Sequence, residues 1–116
     1  MKLTGAAILS LFLVAVAAPE ALSATTATLR ASVVSQQCQG GDGVSVTLTA
    51  TLQPNRQGVM YQWDLNNDGV FDTPLSTDPT VTTVYGDELP VTATVRATKG
   101  TRSAEDTVSF QTIRCP

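Results

Sequence analysis

VSVTLTATL, residues 44–52, alternates apolar and hydroxyl-bearing side chains without interruption. One set of alternate positions is apolar, namely Val44, Val46, Leu48, Ala50 and Leu52, and the other set consists of Ser45, Thr47, Thr49 and Thr51. Successive side chains of a strand point to opposite faces, so this period of two predicts a strand with one face in a core and the other in water.

The same alternation recurs along the chain. We predict further strands over residues 27–34, 59–65, 80–85, 91–97 and 106–113, which are rich in β-branched residues and bounded by turn residues. No apolar stripe at the helical period interrupts them. This pattern predicts an all-β fold, an immunoglobulin-like two-sheet antiparallel β-sandwich of about seven strands.

The N-terminus has the composition of a secretory signal. Lys2 precedes the apolar or small residues 5–18, a run that is too short to span a bilayer. We predict a signal peptide over residues 1–23 and one small domain over residues 24–116, secreted to the periplasm or the extracellular space. Cleavage after residue 17 and retention of the segment as an anchor are the alternatives.

Two cysteines, Cys38 and Cys115, lie near opposite ends of the predicted domain. In a secreted domain their default state is one disulfide. The first strand of an immunoglobulin-like sandwich can switch sheets and run parallel to the last strand, which would bring both cysteines to one edge. A metal-binding or nucleophilic thiol is the alternative, but it needs a second ligand type or an activating base, and the chain has no histidine.

Charge and composition argue against several function classes. The net charge is −3 and the bases are scattered singly, so the chain lacks the basic stripe that nucleic-acid binding needs. Without histidine the usual catalytic triads are excluded, and Ser35 and Ser103 lie in no nucleophile motif. We therefore expect a monomeric, non-catalytic domain with no membrane span after cleavage.

Three segments carry a resemblance to a known family: YQWDLNNDGVFDTP (61–74), PTVTTVY (79–85) and GDELPVTATVRATKGTRSAEDTVSF (86–110). Together they resemble the polycystic kidney disease (PKD) repeat, with its aromatic-x-Trp-Asp strand end, Asp-Gly turn and Thr-rich strand ending in Tyr. The match covers residues 44–113. Thr83 stands where many members have histidine, and residues 88–90 replace the usual Gly-x-Tyr. The resemblance implies an extracellular immunoglobulin-like sandwich that serves as a non-catalytic accessory, adhesion or spacer module.

The aspartates of residues 64–72 are spaced like the start of a calcium-binding loop, D-x-N-x-D-G-x-x-D. The candidate ligands are Asp64, Asn66, Asp68, the carbonyl of Val70 and Asp72. Leu75 replaces the closing glutamate and no helices flank the loop, so this is not an EF-hand. The alternative is a plain turn, in which Asp64 caps the strand end and residues 67–69 reverse the chain.

Trp63 poses a second choice, between a core residue and an exposed platform for carbohydrate. Tyr61, Trp63 and Leu65 lie on one face of a predicted strand, and the domain has few other aromatics with which to build a core, which favours burial. Phe71 is then the remaining candidate for an exposed aromatic ring.

Three functions are compatible with these observations. The first is a PKD-like interaction or adhesion module that binds an extracellular protein or a surface glycan. The second is a structural spacer or envelope protein with a calcium-stabilised loop. The third is a small protease inhibitor that presents the basic segment 98–102.

Overall fold

The computed structural model describes residues 27–116, so the predicted signal peptide and its cleavage site lie outside the described residues. These residues form six strands: β1 (Thr28–Cys38), β2 (Gly43–Gln53), β3 (Met60–Asp64), β4 (Thr80–Gly86), β5 (Pro90–Lys99) and β6 (Arg102–Gln111). No helix occurs in this range, and thus none that is long and apolar enough to cross a membrane.

Two antiparallel sheets of three strands make up the fold. The first has the order β1-β2-β4 and the second the order β3-β5-β6. The all-β two-sheet prediction is confirmed. The strand count is six rather than the predicted seven or so. Residues 72–76 return along β3 with a single bridge, Tyr61 to Ser76, and form no regular strand.

The core lies between the sheets and has the composition that the alternation predicts. Twelve buried residues form one cluster: Leu29, Val44, Val46, Leu48, Ala50, Leu52, Val59, Tyr61, Trp63, Ala93, Val95 and Ala97. The hydroxyl-bearing positions face outward, where Thr47 pairs with Thr82 and Thr49 with Thr80, each at 3.0 Å between hydroxyl oxygens. Burial on one face and cross-strand hydroxyl pairs on the other stabilise the same register.

The first strand differs from its prediction. β1 remains paired with β2 over its whole length and does not switch sheets. Val34 is an extra residue between the pairs Val33–Leu48 and Ser35–Thr47, and such a bulge is common on an edge strand. β1 instead approaches β6 through a side chain, because the amide of Ala31 donates a 2.7 Å hydrogen bond to Asp106 Oδ2.

The sandwich has two distinct ends, and both sheets contribute to each. At one end Gly43 pairs with Gly86, and a short connection leads from there into β5; the Cys38–Cys115 disulfide lies here with a Cα–Cα distance of 5.7 Å. We call this the disulfide end. At the other, hairpin end, the loop 54–59 lies beside the turn that joins Lys99 to Arg102. The predicted disulfide is therefore present without the predicted strand switch.

Candidate functional site

The aspartate loop begins where β3 ends, at Asp64. The side chain of Asp64 is only 4% exposed. Its Oδ1 accepts a hydrogen bond from the amide of Asp68 at 3.2 Å and its Oδ2 one from the amide of Gly69 at 2.8 Å. A buried carboxylate needs such partners, so the loop folds around Asp64.

The chain reverses through two residues in the left-handed region, Asn67 with φ 58° and Gly69 with φ 87°. Asparagine and glycine are the residues that adopt this conformation most readily. The amide oxygen of Asn66 accepts from the amide of Asp68 at 3.3 Å, and Asp68 Oδ1 accepts from the amide of Val70 at 2.9 Å. This is the cap and turn that the alternative interpretation of the loop predicts.

After the reversal the chain returns along the free edge of β3. The amide of Asp72 donates to the carbonyl of Trp63 at 2.7 Å, and the amide of Trp63 donates to the hydroxyl of Thr73 at 2.9 Å. Asp72 Oδ2 also accepts from the amide of Leu65 at 2.7 Å, which bridges the two arms of the loop. Asp72 is thereby brought back next to the strand end.

The consequence is a convergence of negative charge. One carboxylate oxygen from each of Asp64, Asp68 and Asp72 lies within 4.8 Å of the others; Asp64 is buried and the other two are exposed. Calcium binds oxygen at about 2.4 Å, so ligands on opposite sides of one ion lie about 4.8 Å apart. The three carboxylates therefore fit around a single calcium-sized ion.

The two other predicted ligands are placed less directly. Asn66 directs its amide oxygen at the amide of Asp68, beside the carboxylates. A hydrogen bond from the Val70 amide to Asp68 Oδ1 holds Val70 in place, and Val70 is 64% exposed. The loop can thus offer three carboxylates, with Asn66 and the Val70 carbonyl as further candidates and water for the remaining positions.

A contact from the other sheet supports the loop, and no local sequence pattern predicts it. The hydroxyl of Tyr85 in β4 donates to the carbonyl of Leu65 at 2.7 Å. Burial raises the pKa of Tyr85, and the negative charges of Asp72 and Asp64 raise it further. The phenol therefore remains protonated and a hydrogen-bond donor over the ordinary pH range.

Neither aromatic candidate forms an open carbohydrate platform. Trp63 is 2% exposed and belongs to the core, as predicted. Phe71 is half-buried, and the guanidinium of Arg96 lies 4.6 Å from the centre of its ring. A cation over the ring takes the position that a sugar would need.

The basic segment 98–102, considered above as an inhibitor loop, lies at the hairpin end and thus far from the aspartates. It forms the end of the β5–β6 hairpin, with only Gly100 and Thr101 between the two strands.

Comparison with family models, curated proteins and solved structures finds no match to this chain. The PKD assignment therefore stays a prediction that rests on the motifs quoted above.

Proposed function

We propose that this chain is a secreted, non-catalytic binding module of the PKD type, in which calcium stabilises the 64–72 loop. The module would bind an extracellular protein or a surface glycan. The observation that carries the proposal is the convergence of the Asp64, Asp68 and Asp72 carboxylates within 4.8 Å at the end of a core strand.

Electrostatics favour a cation at this position. Three carboxylates so close together repel one another, and burial of Asp64 weakens the screening that water provides. Hydrogen bonds from loop amides offset part of this repulsion. A divalent cation would offset more, and calcium tolerates the irregular oxygen geometry of a flexible loop better than magnesium does.

The binding role follows from the position of the loop. Its tip, residues 66–70, is exposed, and Val70 presents an apolar side chain to solvent. The base of the loop is anchored to both sheets, through Trp63 in one and Tyr85 in the other. An exposed tip on a rigid base is the usual arrangement of a recognition loop.

A catalytic role has less support. The chain has no histidine, and the three carboxylates already accept hydrogen bonds from the backbone that folds the loop.

A disulfide that closes the ends of the domain is typical of an oxidising compartment, which supports the proposal of secretion.

The test has two measurements. Thermal melts of the secreted product, in chelator and in millimolar calcium, should show a higher melting temperature in calcium and a smaller rise in magnesium. Beads that carry the wild-type protein should then retain a partner from culture supernatant or envelope extract in calcium, and beads that carry Asp68→Ala should not.

Each result has a distinct meaning. An unchanged melting temperature would reject calcium and leave the loop as a turn. Retention of the partner by Asp68→Ala, or in chelator, would place the binding surface elsewhere on the domain. Recovery of no partner in either condition would favour the spacer function.

A further inference from the structure

Basic side chains are concentrated at the hairpin end. Arg56, Lys99 and Arg102, together with Gly100 and Thr101, line an open concavity of about 460 Å³. They are three of the six bases among residues 27–116, and no acidic residue lines the concavity. We call it the basic pocket.

The fold brings these cations together at a cost. Lys99 and Arg102 are directly opposite each other across a two-residue turn, in which Gly100 has φ 62°. Glycine with positive φ at the first central position is typical of a type II′ hairpin, a tight and well-defined turn. Like charges at directly opposite positions destabilise a sheet, so local stability does not account for this pair.

The third cation comes from a different loop. Arg56 is half-buried in the segment that precedes β3, and Gly58 of the same segment is close to the Lys99 side chain. A Cβ added at Gly58 would be 3.8 Å from Lys99 Cε. That separation is ordinary van der Waals contact, so the lysine stem packs beside the loop that carries Arg56.

Acidic residues are concentrated at the opposite end of the domain. Two bases outside the pocket form ion pairs, Arg96 with Glu105 at 2.7 Å and Arg114 with Glu88 at 3.8 Å. Lys99 and Arg102 form none with any acid of residues 27–116. Six of the nine acids of that range lie in or beside the turns of the disulfide end: Asp42, Asp64, Asp68, Asp72, Asp87 and Glu88. An otherwise acidic domain thus presents one positive end, which would attract anions.

The lining indicates which kind of anion fits. No aromatic ring lines the basic pocket, so it cannot stack nucleobases, and no apolar side chain is present to anchor a protein hot spot. Two arginines and a lysine suit the planar or tetrahedral oxyanion of a carboxylate or sulfate. The pocket is also open, so a polymer can lie across it without presenting a chain end.

From these observations we propose that the basic pocket binds the anionic groups of an acidic polysaccharide, either uronate or sulfate. This proposal names a glycan partner for the module and rests on the proposed function only in placing the module outside the cytoplasm. It does not depend on calcium, since the aspartate loop lies at the other end of the domain.

Two immobilised polysaccharides, polygalacturonate and chondroitin sulfate, test the proposal, with neutral dextran as the control polymer. The protein is expressed from the full chain and purified as its secreted product. Wild type should bind at least one acidic polymer and not dextran, and added salt should weaken the binding. Retention on polygalacturonate would indicate uronate, and retention on chondroitin sulfate alone would indicate sulfate.

Matched double variants locate the site. Lys99→Gln with Arg102→Gln should weaken binding by about tenfold, whereas Arg30→Gln with Arg114→Gln, which removes the same charge elsewhere, should weaken it by less than about threefold. If the Lys99→Gln, Arg102→Gln variant has a lowered melting temperature, a charge-conserving variant is needed. Lys99→Arg with Arg102→Lys keeps both charges and must retain binding.

Several results would overturn the proposal. Wild type could fail to bind either acidic polymer, or both double variants could weaken binding equally. Tighter binding to immobilised polyglutamate than to the polysaccharides would assign the pocket to an acidic protein segment. A protein that binds the polymers but shows no calcium-dependent melt would reject the calcium loop alone, and the reverse result would reject this proposal alone.

Discussion

The hydroxyl of Tyr85 and the carbonyl of Leu65 are joined by a 2.7 Å hydrogen bond between the two sheets. Tyr85 belongs to β4 of the first sheet, and Leu65 follows β3 of the second. The amide of Leu65 is used as well, because it donates to Asp72. Leu65 therefore connects the packing of the two sheets to the closure of the aspartate loop.

Removal of this hydroxyl should destabilise the domain. Tyr85→Phe leaves the Leu65 carbonyl without its donor and keeps the ring that packs edge-on against Phe110 at 6.0 Å. We expect a loss of about 1 kcal/mol in the free energy of unfolding, measured by chemical denaturation. Tyr61→Phe is the control, since its hydroxyl takes no part in this contact. An equal loss of unfolding free energy in both variants would show that the Tyr85–Leu65 hydrogen bond does not stabilise the domain specifically.

The same tyrosine should report on charge in the loop. Because burial and the nearby Asp72 and Asp64 raise the pKa of Tyr85 in the folded state, its neutral form is favoured there. Its contribution to stability is therefore fully present below the unfolded value of 10.0 and is lost as the pH rises through the folded value. Denaturation curves at increasing alkaline pH should show a larger loss in wild type than in Tyr85→Phe, which keeps only the loss due to Tyr61.

Calcium at the aspartates should lower the pKa of Tyr85. A bound cation would cancel the negative charges of Asp72 and Asp64 and leave only the effect of burial. Ultraviolet titration in calcium should therefore show Tyr85 ionising at lower pH than in chelator. Tyr61, whose pKa is raised by burial alone, should titrate alike in both. Identical curves for Tyr85 would contradict an ion at this position.

The Cys38–Cys115 disulfide should supply a large part of the stability. It spans 77 residues, and closing a loop of this size stabilises a domain by about 4 kcal/mol in the chain-entropy model. The double variant Cys38→Ser with Cys115→Ser should lose about that much, and unfolded, unreduced wild type should show no free thiol. Two reactive thiols per chain would reject the bridge.

The parts of the fold that follow from burial could be predicted from the sequence. Alternation over residues 44–52 and 91–97 identified the inward faces, and Leu48 and Val95 are fully buried as this requires. The C-terminal part of β1 was missed, because Gln36 and Gln37 are polar although both pair with β2. Gln37 is exposed, and Gln36 is half-buried with its side chain hydrogen-bonded to the backbone of Gln111 and Ile113. Periodicity detects strands that bury one face, and edge strands do so only in part.

The site divides in the same way. The spacing of Asp64, Asp68 and Asp72 predicted that their carboxylates would meet, since local oxygen spacing is set by the chain itself. The contact of Tyr85 with Leu65 spans 20 residues and depends on how two sheets pack, which no local pattern encodes. The basic pocket is of the second kind, because Arg56 and Lys99 meet only after the sandwich forms.

The last prediction separates charge from hydrogen bonding at Asp68. Its Oδ1 accepts from the amide of Val70, a bond that an asparagine oxygen could also accept. In chelator, Asp68→Asn should therefore match wild type within about 0.5 kcal/mol, while Asp68→Ala should lose about 1 kcal/mol with the turn bond. In calcium both variants should lack the increase in melting temperature expected of wild type, because the ion needs the charge. A full calcium response in Asp68→Ala would exclude Asp68 as a ligand, and a full response in Asp68→Asn alone would show that its oxygen, and not its charge, is what the ion needs.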